Sequence, residues 1–105
     1  MHALIEQHRD GIADICRRYA VRRLEVFGSA ARGADFDPAR SDADFLVEFA
    51  PGSDMPALRR FFGLAEDLER LLGRHVDLLE RQALEQSRNY IRRRSILKDA
   101  TPVYA

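Results

Sequence analysis

The residues of this sequence best suited to chemistry are three aspartates, Asp42, Asp44 and Asp77, and the Gly28-Ser29 pair upstream of them. Asp42-Ala43-Asp44 leads into Phe45-Leu46-Val47, which reads as a strand. Residues i and i+2 of a strand point to one face, so both carboxylates project together. Like charges that close repel each other and call for a cation or a proton. Aspartate is also depleted in strands, which sets the pair apart. Asp77 interrupts a second apolar run, Val76-Asp77-Leu78-Leu79, and a buried carboxylate there needs a partner. If the two strands are neighbours, Asp77 reaches the same point as Asp42 and Asp44. Three carboxylates suit Mg²⁺, which keeps waters and takes its remaining ligands from substrate phosphates. Gly28-Ser29 follows another strand and opens a turn. Glycine lets backbone approach a phosphate closely, and free N–H groups together with the Ser29 hydroxyl donate to anions. Taken singly, each part has a plainer reading. Gly-Ser is common turn composition, two aspartates at a strand start can be solvated, and a lone aspartate in a strand can serve a salt bridge.

The elements that must position these residues are short. Leu4, His8, Ile12, Ile15 and Tyr19 recur at helical steps and predict a helix over 3–19, followed by a strand over 22–27. Ser29 to Arg32 make one helical turn closed by Gly33, and residues 34–41 have turn composition. A strand is predicted over 43–49. Residues 56–72 carry the strongest helical pattern, with Leu58, Phe61, Phe62, Ala65, Leu68 and Leu72 on one face and the Phe61-Phe62 pair in the core. A third strand is predicted over 75–79. A polar helix follows over 81–98, with Tyr90, Ile91 and Leu97 as its apolar residues, and 101–104 reads as a terminal edge strand. The helix between the second and third strands is long enough for a crossover connection. The order predicts an α+β fold, one small mixed sheet of three to four strands with flanking helices, as a single domain over residues 1–105.

Composition narrows the function classes. Seventeen basic residues balance 17 acidic ones, which argues against a basic nucleic-acid coat, so direct nucleic-acid binding is not expected. The single cysteine, Cys16, excludes an intrachain disulfide, and His2, His8 and His75 share no ligand spacing with it, so no transition-metal site is expected. No apolar run approaches the roughly 18–20 residues of a membrane span. Glu6 and Asp10 stand where a signal sequence would be apolar, so the expected location is cytoplasmic, with no membrane association. Charge is unevenly placed: residues 1–80 hold 11 basic and 15 acidic side chains, and residues 81–105 hold 6 and 2. Arg92-Arg93-Arg94 reads either as a solvated face or as a binding patch. A domain this small cannot close over an acceptor, so a second protein or a homodimer is expected near the cleft.

The run Gly28-Ser29-Ala30-Ala31-Arg32-Gly33, with twelve residues between Ser29 and Asp42-Ala43-Asp44-Phe45-Leu46-Val47, resembles the nucleotidyltransferase superfamily related to the DNA polymerase β palm. It is most similar to the minimal nucleotidyltransferases, or MNT-type proteins, and Asp77 matches their third carboxylate. The resemblance runs from about Val21 to Leu79, with a similar Val-Tyr near the end. It implies a palm-like fold, with Asp42 and Asp44 holding two Mg²⁺ ions and a nucleoside triphosphate, ATP for preference. Asp77 would ligate one ion and help deprotonate the acceptor hydroxyl, while Gly28 and Ser29 would hold the β and γ phosphates. Arg32 and Ser41 would be further nucleotide contacts, Arg32 being equally readable as a structural ion pair. The resemblance also implies a small helical HEPN-type partner, with this chain as a type VII-like antitoxin that adenylylates a tyrosine of the partner toxin. Two alternatives stand beside it: a catalytically silent antitoxin that acts by binding, and a free-standing enzyme that modifies a small molecule. The intact Asp42, Asp44 and Asp77 argue against the silent form.

Overall fold

Val21–Phe27 (β1), Ala43–Phe49 (β2), Val76–Glu80 (β3) and Thr101–Tyr104 (β4) form one sheet in the order β3-β2-β1-β4 in the computed structural model, which describes residues 1–33, 36–37 and 41–105. β1 is antiparallel to both β2 and β4, whereas β2 and β3 run parallel. The parallel pair is joined by the helix Ala57–Leu72 (α4), which is the crossover that such a connection requires. The fold is therefore a mixed α+β sheet with flanking helices, as the order of elements predicts, and the terminal edge strand is present as β4.

Alternation along β2 divides the sheet into two faces. Ala43, Phe45 and Val47 join Leu24, Val26 and Val76 in the main core, against Ile5, Ile12, Ile15 and Cys16 and against Leu64, Leu68 and Leu72 of α4. The opposite face carries Leu46, packed with Leu84, Ile96, Phe27 and Leu79 in a smaller cluster. Asp44 lies between Ala43 and Phe45, so it belongs to this second face.

The N-terminal helix differs from its prediction. It breaks at His8 into Ala3–Gln7 (α1) and Arg9–Arg18 (α2). The His8 ring Nδ1 lies 2.8 Å from the Leu4 carbonyl oxygen, and this local bond competes with a continuous helix. Gly11 has a packing reason: a Cβ there would stand 3.0 Å from Leu71 Cδ1, so glycine lets α2 and α4 approach. The apolar face of α4 is also narrower than predicted. Leu58 is 72% exposed and Phe62 is 63% exposed, so the Phe61-Phe62 pair is not core. Both residues lie in the first two turns of α4, whereas the buried Leu64, Leu68 and Leu72 lie further along it.

The helix expected over 81–98 is two helices, Arg81–Glu85 (α5) and Tyr90–Asp99 (α6). Asn89 caps the second, its side-chain oxygen accepting the Arg92 N–H at 3.0 Å. Leu84 and Ile96 are the buried anchors, while Tyr90 and Ile91 are exposed. Among the described residues no helix is long and apolar enough to cross a membrane.

Glu25, on the central strand β1, is 4% exposed and the one buried charged side chain described. Arg81 of α5 pairs with it, and Arg23 stands 3.4 Å away. Removing one partner of a buried pair strands the other charge. Arg81→Ala is therefore expected to destabilise the fold by about 3 kcal/mol, read by urea unfolding. A loss below about 0.5 kcal/mol would mean that water or Arg23 already compensates the carboxylate.

Candidate active site

β2 and β3 pair so that Asp44 lies opposite Asp77, and on its other side Asp44 lies opposite Phe27 of β1. The Ala43 N–H donates to the His75 carbonyl at 3.1 Å, so extending the same register sets Asp42 opposite His75. Asp42 and Asp44 on one strand and His75 and Asp77 on the next thus share one end of one sheet face. The three aspartates converge as expected.

Asp44 is half-buried between charges. Burial and the neighbouring Asp77, hydrogen-bonded to it, together with Asp42 push its carboxyl up to about 6, while His75 pulls the other way. Two carboxylates that share one point cannot both ionise without cost, so a proton or a cation bound here would relieve their repulsion. Asp77 is less buried than expected, its side chain 59% exposed, so it faces the cleft rather than the core.

Gly28 directly follows β1 with φ +68° and ψ −150°. A Cβ there would stand 2.6 Å from Asp44 Oδ2, so the carboxylate fills the space a side chain would take. Ser29 begins the single turn Ser29–Arg32 (α3), and the Ala31 and Arg32 N–H groups donate to the Gly28 carbonyl. A cleft of about 410 Å³ opens beside these groups, lined by Phe27, Asp44, Asp77, Leu78, Leu79, Arg92 and Ile96. Larger depressions lie by Arg60 and Arg81 and by Tyr19 and Phe62, but neither holds the paired strand aspartates.

Two other expected contacts are engaged elsewhere. Arg32 pairs with Asp99 at the end of α6, which is the structural ion pair its alternative reading described. Ser41 is held in the loop, its Oγ accepting the Asp37 N–H at 3.0 Å and its carbonyl accepting from Arg74 at 3.2 Å. The turn expected over 34–41 falls partly outside the described residues, at 34–35 and 38–40. Cys16 is no nucleophile: burial pushes its thiol up to about 12.

Sequence reading passed over Glu69, set His75 aside because it shares no ligand spacing with Cys16, and left Arg92 open between a solvated face and a binding patch. His75 Nδ1 lies 3.3 Å from Asp42 Oδ2 and 3.7 Å from Asp77 Oδ1. The available signal was its position two residues before Asp77, which places both on one strand face. Arg92 is brought to the cleft only because α6 folds back over the sheet, so of the three-arginine run this one lines the site.

Residues 9–104 match the nucleotidyltransferase domain family, and this chain belongs to it. It is 40% identical over 72 residues to the protein adenylyltransferase MntA of Thermococcus cleftensis, covering 69% of this chain and 68% of that protein. A solved structure assigned as a minimal nucleotidyltransferase superposes with a TM-score of 0.73 at 32% identity, covering 97% of this chain and 96% of that one. A further likeness, of fold alone at 16% identity with a TM-score of 0.62, is to the structure of a tri-AMPylated Shewanella oneidensis HEPN toxin in complex with MNT antitoxin, covering 96% of this chain and 72% of that one.

Proposed function

We propose that this chain transfers AMP from ATP to a hydroxyl of a HEPN-type partner protein and acts as its antitoxin, with Asp42, Asp44 and Asp77 as the catalytic carboxylates. The observation that carries the reading is Asp44, held against Gly28, its carboxyl pushed up to about 6 by burial and by its neighbours Asp77 and Asp42. The names of its relatives, a protein adenylyltransferase and an antitoxin bound to a HEPN toxin, support the choice of nucleotide and acceptor.

The donor set fits a divalent cation: three carboxylates on one sheet face, none matched by an arginine or lysine among the ion pairs described. Asp42, Asp44 and Asp77 would hold Mg²⁺, which when bound neutralises the phosphate charge that develops at the attacking and leaving oxygens. The rest falls to the chain itself. The bare Gly28 backbone and the Ser29 hydroxyl bind the β and γ phosphates, and Arg92 on the cleft wall adds a cation for the triphosphate. The acceptor oxygen attacks the α-phosphorus, the bond from that phosphorus to the α–β bridging oxygen breaks, and pyrophosphate leaves. The hydroxyl proton passes to Asp77, the more exposed carboxylate. Positioning and electrostatics supply most of the acceleration in such transfers.

The test is co-expression with the product of the adjacent gene, and with a HEPN-type protein where that product is one, followed by incubation with Mg²⁺ and ATP labelled at the α-phosphate. The expected result is AMP on the partner, with one pyrophosphate released per label. A stable complex without label assigns the silent antitoxin instead. Label on added small hydroxyl compounds and none on the protein assigns the free-standing enzyme.

A further inference from the structure

His75 completes the acidic cluster in a way that carboxylates alone do not. Its Nδ1 and one oxygen each of Asp42 and Asp77 all lie within 4.8 Å of one another, and all three side chains are exposed to entering solutes. Donors about 2.1 Å from a shared ion stand about 3 Å apart when adjacent and about 4.2 Å when opposite. The contacts of 3.3 Å from His75 to Asp42 and 3.7 Å from His75 to Asp77 are close to the adjacent spacing.

A second observation concerns the far side of the ring. His75 Nε2 faces Glu69 Oε1 at 3.9 Å, and Glu69 is itself held by accepting the Val76 N–H at 3.2 Å. Metal-binding histidines commonly turn their other ring nitrogen toward a carboxylate, which sets the tautomer and leaves the near nitrogen free to coordinate. Here an anchored carboxylate stands behind the imidazole, at 3.9 Å and so beyond hydrogen-bond distance, and two carboxylates stand in front of it.

We infer that His75 is a metal ligand of the active site, giving it a mixed nitrogen–oxygen donor set that selects a first-row divalent ion such as Mn²⁺ over Mg²⁺. Mg²⁺ prefers an all-oxygen shell, whereas imidazole suits the transition ions. This rests on the metal-dependent reading of the site given above. It revises the expectation drawn from residue spacing that no histidine here takes part in a metal site, because the contact is made across two strands and not along one.

The experiment uses the full chain and Mn²⁺ alone, without nucleotide. Pulsed electron paramagnetic resonance of the Mn²⁺-loaded protein is expected to show coupling to a directly bound nitrogen, absent in His75→Gln. Since His75 is exposed, both His75→Gln and His75→Ala are expected to fold, which circular dichroism checks. In competition titrations His75→Gln is expected to weaken Mn²⁺ binding about tenfold or more, and Mg²⁺ binding less than about threefold. Mn²⁺ bound without nitrogen coupling, or equal weakening for both ions, overturns the His75 assignment and leaves the carboxylate site standing. Failure of the wild-type chain to bind Mn²⁺ at all overturns both.

Discussion

Asp44→Asn is expected to lower nucleotidyl transfer by on the order of 10³-fold while making the cation-free protein more stable. The activity loss follows from removing the carboxylate that Asp42, Asp77 and Gly28 all surround. The stability gain follows from the same crowding. In the folded chain the Asp44 carboxyl is held at about 6 against an ordinary value of 3.8. The folded state therefore binds the proton more tightly than the unfolded state. Stability from this group is fully present below the unfolded value of about 3.8 and is lost as pH rises through about 6. At pH 7 the native protein thus bears in full the cost of burying the charge beside Asp77 and Asp42, worth about 1 kcal/mol once solvent screening of a half-exposed group is allowed for. Asn removes it, so the melting temperature at pH 7 is expected to rise by roughly 4–8 °C, with the fall between pH 4 and 7 flattened. Scanning calorimetry across that range, with chelator present, reads both effects. A destabilised Asp44→Asn at pH 7 would make Asp44 a structural residue and not a strained catalytic one.

Gly28→Ala carries the second large effect. At φ +68° and ψ −150° an alanine is strained wherever it sits, at a cost of about 1–3 kcal/mol. Its Cβ would also stand 2.6 Å from Asp44 Oδ2 and must displace that carboxylate. Misplacing a reacting group by about 1 Å is enough to lose roughly 10² in rate, which is the expected fall in kcat/KM. Gly52→Ala supplies the comparison. Gly52 has φ +83° but nothing within 4 Å of its Cβ position, so that variant is expected to lose stability and keep its activity. If the two variants match in activity, the contact between Gly28 and Asp44 has no part in catalysis. The double variant Gly28→Ala/Asp44→Asn is expected to lose no more activity than Asp44→Asn alone, since the displaced group is already disabled.

Much of this protein is legible in one dimension, because the signals involved are local. Asp42 and Asp44 share a face through the two-residue period of a strand, and Ala43, Phe45 and Val47 lie buried on the other face. Gly28 after a strand marks a backbone turn that only glycine makes easily. The length of α4 permits a crossover, and with it the parallel pairing that puts Asp77 beside Asp44. What tertiary structure alone decides is which face of each helix finds something to pack on, and which residues meet across strands. Phe62 has the periodicity of a core residue, yet it is 63% exposed, because Tyr19 packs against its neighbour Gly63 and leaves the Phe62 ring at the surface. Arg92 and its two neighbours are alike in sequence, and the return of α6 over the sheet selects one of them for the cleft. Arg32 is committed to Asp99, 67 residues further along the chain. Along the chain His75 has only Asp77, two residues on, as a neighbour on its face. Its other partners are Asp42, brought opposite by the β2–β3 register, and Glu69, brought behind it by the last turn of α4. Periodicity is set by backbone geometry within a few residues, whereas these contacts depend on register and packing between elements, and register exists only once the sheet has formed.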